Sequence, residues 1–248
     1  MIVATLPTWN ESGNIRPLIE ELLALRDDLH VLVIDDNSPD GTWRIVGEMA
    51  AGNPRVHLLH RTTMKGRGYA GVAGFRMAAH EMKATYVVEM DADFSHHPRF
   101  IPAMLEAAEA GADVVVGSRL VRGGTEVGRT ALRTFITLGA NVYLRVMLGL
   151  GIRDCTTGFR VFRGDLLRRI PWDRVEAGGP AIVQEVLVAC RCLGARIVEV
   201  PIVFEPRREG VSTFSAKIAW KGITNAWRLR RRGCGWVVGN DGKGGGRA

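Results

Sequence analysis

The chain has 248 residues, of which 46% are hydrophobic and 24% are charged, and its formal net charge is +7. This apolar fraction is that of an ordinary globular protein, so extensive disorder is excluded, and the length predicts one large domain or two small ones. The longest stretch without a charged residue is 134–144, whereas a membrane-spanning helix needs ~20 apolar residues. Met1 leads directly into an apolar run, so we expect neither a signal peptide nor a transmembrane segment.

The positive charge is concentrated at the C-terminal end. From residue 207 onward there are ten Lys or Arg and two Asp or Glu, a balance of +8, whereas the preceding residues include 23 basic and 24 acidic ones, a balance of −1. A basic segment on a near-neutral body predicts an anionic partner surface for that segment alone. It also argues against a nucleic-acid-binding protein, which would need an extended basic groove.

The four cysteines predict a reduced compartment. Cys155, Cys190, Cys192 and Cys234 form no CxxC pair, and we therefore expect a protein that resides in the cytosol or on the cytosolic face of a membrane. Cys190 and Cys192 lie in an apolar, helix-like run, where we expect them to pack in the core.

Short apolar runs alternate with longer amphipathic ones along the first half of the chain. Strands are predicted at 2–6, 30–35, 56–60, 86–90 and 114–117. Helices are predicted at 15–26, 42–51, 69–82 and 100–110. This alternation predicts an α/β fold with a mostly parallel sheet flanked by helices.

The regular alternation ends after residue 117. The remaining predicted elements are a Gly-rich basic loop at 119–129, a long helix ending near 150, a strand at 196–204, a helix at 213–231 and a frayed end from 239. In open α/β sheets, ligands bind at the carboxyl ends of the strands. The residues that follow each strand are therefore the first candidates for function.

Acidic residues follow three of the predicted strands. Glu11 follows the first strand, Asp35 and Asp36 end the second, and Asp91 and Asp93 follow the fourth. Carboxylates crowded at one sheet edge require a cation, and oxygen ligands suit Mg²⁺ or Mn²⁺. Asp40 lies in a Ser-Pro-Asp-Gly turn, where it is expected to cap the following helix.

A glycine motif offers a different interpretation. Residues 66–71 satisfy G-x-G-x-x-G, and Asp91 follows at about the distance of a ribose-binding acid. This would indicate an NAD(P)-dependent oxidoreductase. The motif, however, follows the third strand instead of the first, and it leaves the acidic clusters unexplained.

The ordered set of motifs resembles the polyprenol- or dolichol-phosphate mannose synthases, which are inverting family 2 glycosyltransferases with a GT-A fold. The motifs that carry the resemblance are PTWNE at 7–11, DDNSPDGT at 35–42, GRGYAGVAGF at 66–75, MDADFSHHP at 90–98, GSR at 117–119 and DCTTGFR at 154–160. The resemblance runs from residue 2 to about 215, in order and with similar spacing.

The resemblance implies roles for individual residues. The residues that would bind the nucleotide sugar are Pro7, Trp9, Glu11, Ile34, Asp36, Asp91, Ala92, Asp93, Arg119 and Arg207. Asp91 and Asp93 would hold the metal, and Arg119 and Arg133 would meet the acceptor phosphate. Asp93, Arg119 and Arg133 are therefore the expected catalytic residues.

The chain departs from the family pattern at four positions. Trp9 stands where Tyr is usual, which keeps an aromatic surface. Ser95 stands where the family commonly has Gln, and Thr213 stands where its Arg-x-x-Gly-x-Ser-Lys loop ends in Lys. Lys217 or Arg208 could supply the missing charge. Glu185 matches an acidic helix position, although Val183 replaces the Gln that usually precedes it.

By resemblance, the activity would be the transfer of mannose from GDP-mannose to a polyprenyl or dolichyl phosphate, with inversion. The acceptor phosphate is ionised near neutral pH, so little general-base help is required. A polyprenyl-phosphate glucosyltransferase that uses UDP-glucose is the alternative on the same scaffold. A non-catalytic subunit bound to a membrane is an alternative of another class, and a membrane-protein subunit is a further candidate partner.

The C-terminal segment predicts a membrane-associated helix. We divide the chain into a catalytic domain at 1–212, a basic amphipathic helix at 213–232 and a flexible tail at 233–248. Tryptophans on an apolar stripe flanked by Lys and Arg are typical of a helix in the membrane interface. The alternative is an ordinary C-terminal helix packed on the body, with its charges in water.

Overall fold

The computed structural model describes residues 1–128, 130–176, 178–208 and 216–239. Its strands are β1 (Ile2–Thr8), β2 (Leu29–Asp35), β3 (Val56–His60), β4 (Tyr86–Glu89), β5 (Val114–Ser118), β6 (Thr125–Glu126), β7 (Arg160–Arg163), β8 (Ile197–Pro201) and β9 (Val203–Phe204). Its α-helices are α1 (Ile15–Leu25), α2 (Thr42–Gly52), α3 (Arg67–Arg76), α4 (Ile101–Glu109), α5 (Ala131–Leu148), α6 (Gly164–Arg168), α7 (Ile182–Cys192), α8 (Ala216–Arg232) and α9 (Gly235–Val238).

Seven strands form one sheet in the order β3-β2-β1-β4-β7-β5-β8. All neighbouring strands are parallel except β7, which is antiparallel to both β4 and β5. The two faces of the sheet bury separate apolar clusters, one that includes side chains of α3, α5 and α7 and one that includes side chains of α1, α2 and α4. The predicted mostly parallel α/β sheet is confirmed.

The register of the strands brings the acidic motifs to one edge. Thr8 at the end of β1 is opposite Asp35 at the end of β2, and Glu89 at the end of β4 is opposite Thr5. The segments that follow these three strands therefore leave the sheet side by side. This edge carries Trp9, Asp36 and Asp91, and it is the candidate functional site.

Three elements differ from the expectations. The predicted strand at 196–204 is two strands, because the chain leaves the large sheet at Pro201 and β9 pairs with β6 instead. The helix predicted at 69–82 begins at Arg67 and ends in a π-helical turn, Met77–Glu81. The antiparallel strand β7 was not predicted, because a four-residue strand between loops carries almost no periodic signal.

The C-terminal helices pack on the body of the protein. Helix α8 lies against α5 and α7, and its Ala226 and Leu229 are buried. Residues 235–238 form α9, in which Trp236 and Val237 are buried, so the expected flexible tail does not begin at residue 233. Residues 213–215 and 240–248 lie outside the described residues. Within the described part, no helix combines the length and the apolar character needed to cross a bilayer.

The cysteines correct two expectations, that Cys192 packs in the core as a thiol and that the cysteines by themselves indicate a reduced compartment. Cys192, at the end of α7, forms a disulfide with Cys234, which lies between α8 and α9, with 5.3 Å between the two Cα atoms. Cys155 and Cys190 are buried and free, as expected for Cys190. A pair 42 residues apart has no sequence signature, and only the packing of α8 against α7 brings the two sulfur atoms together.

Candidate active site

Asp91 and Asp93 follow β4, and each carboxylate contacts an arginine. An Nη atom of Arg67 lies 3.1 Å from Oδ1 of Asp91. Nε of Arg207 lies 3.0 Å from Oδ2 of Asp93. The Asp91 side chain is 36% exposed, whereas that of Asp93 is 3% exposed. The two acids thus form one site with an outer and an inner carboxylate, and their negative charge is balanced by two arginines.

Ser95 and His96 fix the backbone of this loop. The backbone N–H and the hydroxyl of Ser95 both donate to Oδ1 of Asp93, so the residue that replaces the family's Gln orients an acid of the motif. Nδ1 of His96 accepts the backbone N–H of Asp91. The imidazole is buried and stacks on Phe159, with 5.1 Å between the ring centroids. Burial lowers the pKa of His96 despite the nearby Asp91, so this ring is neutral and shapes the loop.

The pKa of Asp91 lies below its usual value. Burial by itself would raise this pKa, but the positive charges of Arg67 and Arg207 and the hydrogen bond from Arg67 together outweigh burial. Glu89 lies deeper and is the second partner of Arg67, with 3.4 Å between Nη2 and Oε1. Burial raises the pKa of Glu89 although Arg67 and Arg160 oppose this effect. Sequence reasoning missed Arg67, which was visible only as the variable residue inside the glycine motif.

The nucleotide side of the site is formed by the ends of β1 and β2. Asp36 is buried, and it accepts hydrogen bonds from Arg61 (2.8 Å) and from the backbone N–H of Gly66 (2.6 Å). Gly66 has φ +133°, and a Cβ at this position would lie 3.0 Å from the carbonyl oxygen of Gly178. The loop that Asp36 holds therefore requires glycine at residue 66.

Trp9 borders an open cleft beside Asp36. Its indole is 51% exposed, and Nζ of Lys65 lies 5.5 Å from the ring centroid. The cleft has a volume of about 400 Å³, and its other wall is the loop from Asn37 to Gly41 together with Trp43. An exposed aromatic face beside a cation is suited to a stacked nucleobase and an anionic group.

The remaining predicted residues of the nucleotide pocket occupy different depths. Glu11 is half-buried, and burial raises its pKa to about 6, an effect to which the charges of Asp93 and Asp91 add while a hydrogen bond from Asn14 opposes it. Pro7 is half-buried at the end of β1. The side chains of Ile34 and Ala92 are buried in the core, so neither lines an open cleft in this structure.

Asp35 and Asp40 have local structural roles. Asp35 is fully buried and accepts from the hydroxyls of Thr8 and Ser38. Asp40 accepts the backbone N–H of Thr42, the first residue of α2, as its turn motif predicted. Neither carboxylate takes part in the cluster around Asp91.

Arg119 and Arg133 lie in contrasting environments. The guanidinium of Arg119 pairs side-on with Asp154, with both N–O distances at 2.8 Å, and one Nη also donates to Thr156. Burial by itself would raise the pKa of Asp154, but the hydrogen bonds and the positive charge of Arg119, together with a hydrogen bond from Thr156, outweigh burial and lower it. Arg133 is exposed on the first turn of α5. The structure therefore brings Arg119 to the site edge in a pre-formed ion pair, and leaves Arg133 open to solvent.

Asp91 and Asp93 fit a divalent cation that binds together with a substrate. Mg²⁺ is usually held by one or two carboxylates plus phosphate oxygens and water, instead of by a complete protein cage. The described residues contain no group of three or more His, Cys, Asp or Glu side chains that could hold a metal. The donor set is oxygen only, as Mg²⁺ and Mn²⁺ prefer.

Three relatives match most of the chain. An undecaprenyl-phosphate mannosyltransferase of Micrococcus luteus is 41% identical over 233 residues, which cover 93% of this chain and 95% of that protein. A polyprenol monophosphomannose synthase of Mycolicibacterium smegmatis is 39% identical and covers 85% of this chain and 79% of its own. A dolichol-phosphate mannosyltransferase of Pyrococcus furiosus is 31% identical over 91% of this chain and 62% of its own.

Solved structures share the fold at lower identity. Glucosyl-3-phosphoglycerate synthase from Mycobacterium tuberculosis, in complex with phosphoglyceric acid, has a TM-score of 0.67 at 20% identity and covers 92% of this chain and 79% of its own. The same enzyme with Mn²⁺, UDP-glucose and phosphoglyceric acid has a TM-score of 0.67 at 21% identity, over 95% of this chain and 80% of its own.

A family profile matches the larger part of the chain. The profile described as Glycosyl transferase family 2 matches residues 4–170, which include β1–β5 and the loop with Asp91 and Asp93. This match rules out the dinucleotide-dependent oxidoreductase that the glycine motif at 66–71 suggested. The chain belongs to glycosyl transferase family 2, and the protein is a glycosyltransferase.

Proposed function

We propose that the protein transfers mannose from GDP-mannose to a polyprenyl phosphate, with inversion at the anomeric carbon. The observation that carries the proposal is the meeting of two ligand sites at one sheet edge. The Trp9 cleft suits a nucleoside, and Asp91 with Asp93 suits a cation and a diphosphate. The names of the relatives support mannose as the sugar and a polyprenyl phosphate as the acceptor.

The chemistry follows from the charges of the two substrates. A phosphate oxygen of the acceptor is already ionised near neutral pH, so it can attack C1 of the sugar without a general base. The task of the protein is to position the two substrates and to stabilise the diphosphate that leaves. Asp91 and Asp93 would hold Mg²⁺ or Mn²⁺, which would neutralise charge on the departing diphosphate.

Arginines would bind the anionic groups of the two substrates, the donor diphosphate and the acceptor phosphate. Arg207 is 39% exposed beside Asp93, where it can reach a donor diphosphate. Arg133 is exposed on α5 and is our candidate for binding the acceptor phosphate. Arg119 lies at the site edge with its side chain oriented by Asp154, and a phosphate would need to share it with this carboxylate. A planar guanidinium can pair bidentately with phosphate, which suits it to this task.

The lipid part of the acceptor has a candidate surface on α5. Six large apolar side chains of this helix are between 44% and 76% exposed: Leu132, Phe135, Ile136, Leu138, Val142 and Val146. Ile223 and Trp227 of α8 are exposed as well, and the Tyr143 hydroxyl on α5 donates to the carbonyl of Ile223. Exposed apolar patches of this kind mark protein or membrane contact sites.

We propose that α5 and α8 together rest on an anionic membrane surface, and that the protein is peripheral on the cytosolic face. Exposed cations on these two helices include Arg133, Arg145 and Arg231, the last of which lies 3.8 Å from the Trp227 ring centroid. Arg230 instead donates to the backbone carbonyl of Met147 on α5. Ala226 faces the body, and Arg228 and Arg232 pair with Glu176. These three residues therefore contact the body of the protein and not a membrane. The side chains of Lys217 and Lys221 lie outside the described set.

A transfer assay tests the activity. The protein is incubated with labelled GDP-mannose or UDP-glucose and a short polyprenyl phosphate, with and without EDTA. We expect a labelled lipid with GDP-mannose and none with UDP-glucose, and we expect EDTA to abolish the product. Product from UDP-glucose alone would replace the mannosyl proposal by the glucosyl alternative. No product from either donor would support a non-catalytic subunit.

A vesicle assay tests the surface. We expect the protein to sediment with phosphatidylcholine vesicles that contain phosphatidylglycerol, and less with phosphatidylcholine alone. The double variant Phe135→Ser with Trp227→Ser should reduce the bound fraction, whereas Val238→Ser, at an exposed position on α9, should not. Equal binding of all three proteins would contradict the assignment of this surface.

A further inference from the structure

A buried charge cluster lies beneath Asp91. Arg67 is the first residue of α3, and its Nη2 atom lies between two carboxylates, 3.1 Å from Oδ1 of Asp91 and 3.4 Å from Oε1 of Glu89. Its other terminal nitrogen, Nη1, is buried and has no hydrogen-bond partner among the described residues. The guanidinium therefore has donor capacity that its two acidic partners do not use.

Glu89 does not depend on Arg67 alone. Arg160 is fully buried and its charge also acts on Glu89. Nη1 and Nη2 of Arg160 donate to the backbone carbonyls of Val183 and Cys155, so this second cation is held in place by the backbone. Arg67 is thus one of two cations near Glu89, but it is the cation closest to Asp91 in the described ion pairs.

The cluster is most exposed to solvent at Asp91. The Glu89 side chain is 2% exposed and that of Asp91 is 36% exposed, with Arg67 between them at 23%. A cation that arrives from solvent meets Asp91 first and finds one carboxylate oxygen already bonded to Arg67. To use that oxygen it has to displace the guanidinium, which would leave a partly buried charge with one partner fewer, and this is costly.

We propose that Arg67 is a positioning residue that couples the divalent cation to the donor diphosphate. In the absence of substrates it neutralises Asp91 and opposes metal binding. When the cation takes Asp91, the released guanidinium donates to an oxygen of the diphosphate. The inference rests on the proposed function only in requiring a donor with a metal-bound diphosphate, and it is independent of the identity of the sugar.

The coupling has a thermodynamic signature. If the diphosphate provides the released Arg67 with a new anionic partner, the nucleotide raises the affinity for the metal, and the metal raises the affinity for the nucleotide by the same factor. Direct contact between metal and diphosphate adds to this factor in any such site. The contribution of Arg67 to the coupling is therefore the change in this factor when Arg67 is substituted.

The test measures Mn²⁺ binding to the full chain by electron paramagnetic resonance, with and without GDP. For Arg67→Gln we expect Mn²⁺ alone to bind about tenfold more tightly than to the wild type. This factor corresponds to the free energy of the one charge-assisted hydrogen bond to Asp91 that the metal no longer has to break. The increase in Mn²⁺ affinity that GDP causes should be smaller in this variant by a similar factor. Arg67→Lys retains the charge without the fork, so it should restore weak binding of Mn²⁺ alone.

A control and a second variant separate this role from a structural one. Arg76→Gln removes a cation from the same helix, where Arg76 pairs with the exposed Asp173, and it should bind Mn²⁺ as the wild type does. The double variant Arg67→Gln with Glu89→Gln also removes the buried acid, while Arg160 is still held by the backbone carbonyls of Val183 and Cys155. It therefore tests Arg67 without a Glu89 that has lost one of its two cations. It should show the same tighter binding of Mn²⁺ alone.

The outcomes distinguish the inference from the proposed function. If the wild type binds Mn²⁺ and GDP cooperatively while the folded Arg67→Gln variant or the double variant binds Mn²⁺ alone no more tightly than the wild type, Arg67 does not couple the two ligands. The proposed function would then stand. If the wild type binds neither Mn²⁺ nor GDP, the proposed function fails and the inference fails with it.

Discussion

Glu185 on α7 and Arg232 on α8 form an ion pair, with 3.1 Å between Oε1 and Nη1, and the Glu185 side chain is fully buried. The same oxygen of Glu185 accepts the backbone N–H of Glu176, and Arg228 lies 3.8 Å from its other oxygen. The family-like acidic residue on α7 is thus an anchor for the basic C-terminal helix. Two of the C-terminal positive charges therefore hold α8 on the body.

Removal of this anchor should lower stability. For Glu185→Gln we expect the free energy of unfolding to fall by about 2 kcal/mol, because a buried carboxylate loses its charge while its arginine partners remain. Urea denaturation measures the loss. Arg231→Gln, at an exposed position of the same helix where the guanidinium lies over Trp227, should change stability by less than about 1 kcal/mol. An equal effect of both variants would show that Glu185 is not the anchor.

Substitution of Asp93 tests whether a metal ion held by this carboxylate stabilises the leaving diphosphate. Asp93→Ala should reduce kcat on the order of 10³-fold, although it removes no general base, because stabilisation of the leaving diphosphate is lost. The transfer assay measures this effect at saturating donor and acceptor. Asp173→Ala, at an exposed carboxylate that pairs with Arg76, should retain full activity. Near-normal turnover of Asp93→Ala would overturn the assignment.

Arg133 should act on the acceptor alone. Because Arg133 is exposed, Arg133→Ala should leave stability unchanged and raise KM for the polyprenyl phosphate about tenfold, with the KM for the donor unaffected. Steady-state kinetics with each substrate varied in turn separates the two constants. Arg145→Ala, at another exposed position on α5, is the matched control. A change in the donor KM instead would assign Arg133 to the nucleotide side.

Glu11 makes stability depend on pH. Its pKa is raised from 4.5 to about 6 in the folded protein, with burial as the main cause. The folded state therefore holds the proton more tightly than the unfolded state, and Glu11 lowers the free energy of unfolding as the pH rises from about 4.5 to about 6. Glu11→Gln cannot ionise, so it should gain stability relative to the wild type over this interval.

The expected gain is at most about 1 kcal/mol, because water screens a half-exposed carboxylate. Urea denaturation at about pH 4.5 and about pH 7 measures it for both proteins. Glu48→Gln, at a side chain that is 73% exposed, should show a difference from the wild type that does not vary over this interval. A constant difference for Glu11→Gln as well would contradict the raised pKa.

The Cys192–Cys234 disulfide should stabilise the packed C-terminal helices. Its cysteines are 42 residues apart, and closing a loop of this size contributes roughly 2–4 kcal/mol. Cys234→Ser should lose this stability under oxidising conditions. With a reducing agent present, the wild type and the variant should unfold at nearly the same urea concentration. If reduction leaves the wild type unchanged, the disulfide contributes nothing to stability.

The neighbouring residues Asp35 and Asp36 show that the sequence can predict the position of a residue in a strand but not its contacts. Both were expected at the end of β2, where Asp35 is the last residue of the strand and Asp36 follows it directly. Successive side chains of a strand point to opposite faces, so one meets Thr8 and Ser38 while the other meets Arg61 and Gly66. The position of this pair was predictable from the local pattern, but their partners come from elsewhere in the chain.

The sequence by itself determined the alternating strands and helices, the edge where the acids gather and the family motifs, because periodicity and turn chemistry are local properties. Only the tertiary structure decided which cation meets which acid. Arg67 reaches Asp91, Arg119 reaches Asp154 and Arg232 reaches Glu185 across 24, 35 and 47 residues. Such pairings depend on the sheet order and on helix packing, which no short segment specifies. The same packing determines which cations of the basic C-terminal helix form ion pairs with the body and which are exposed to solvent.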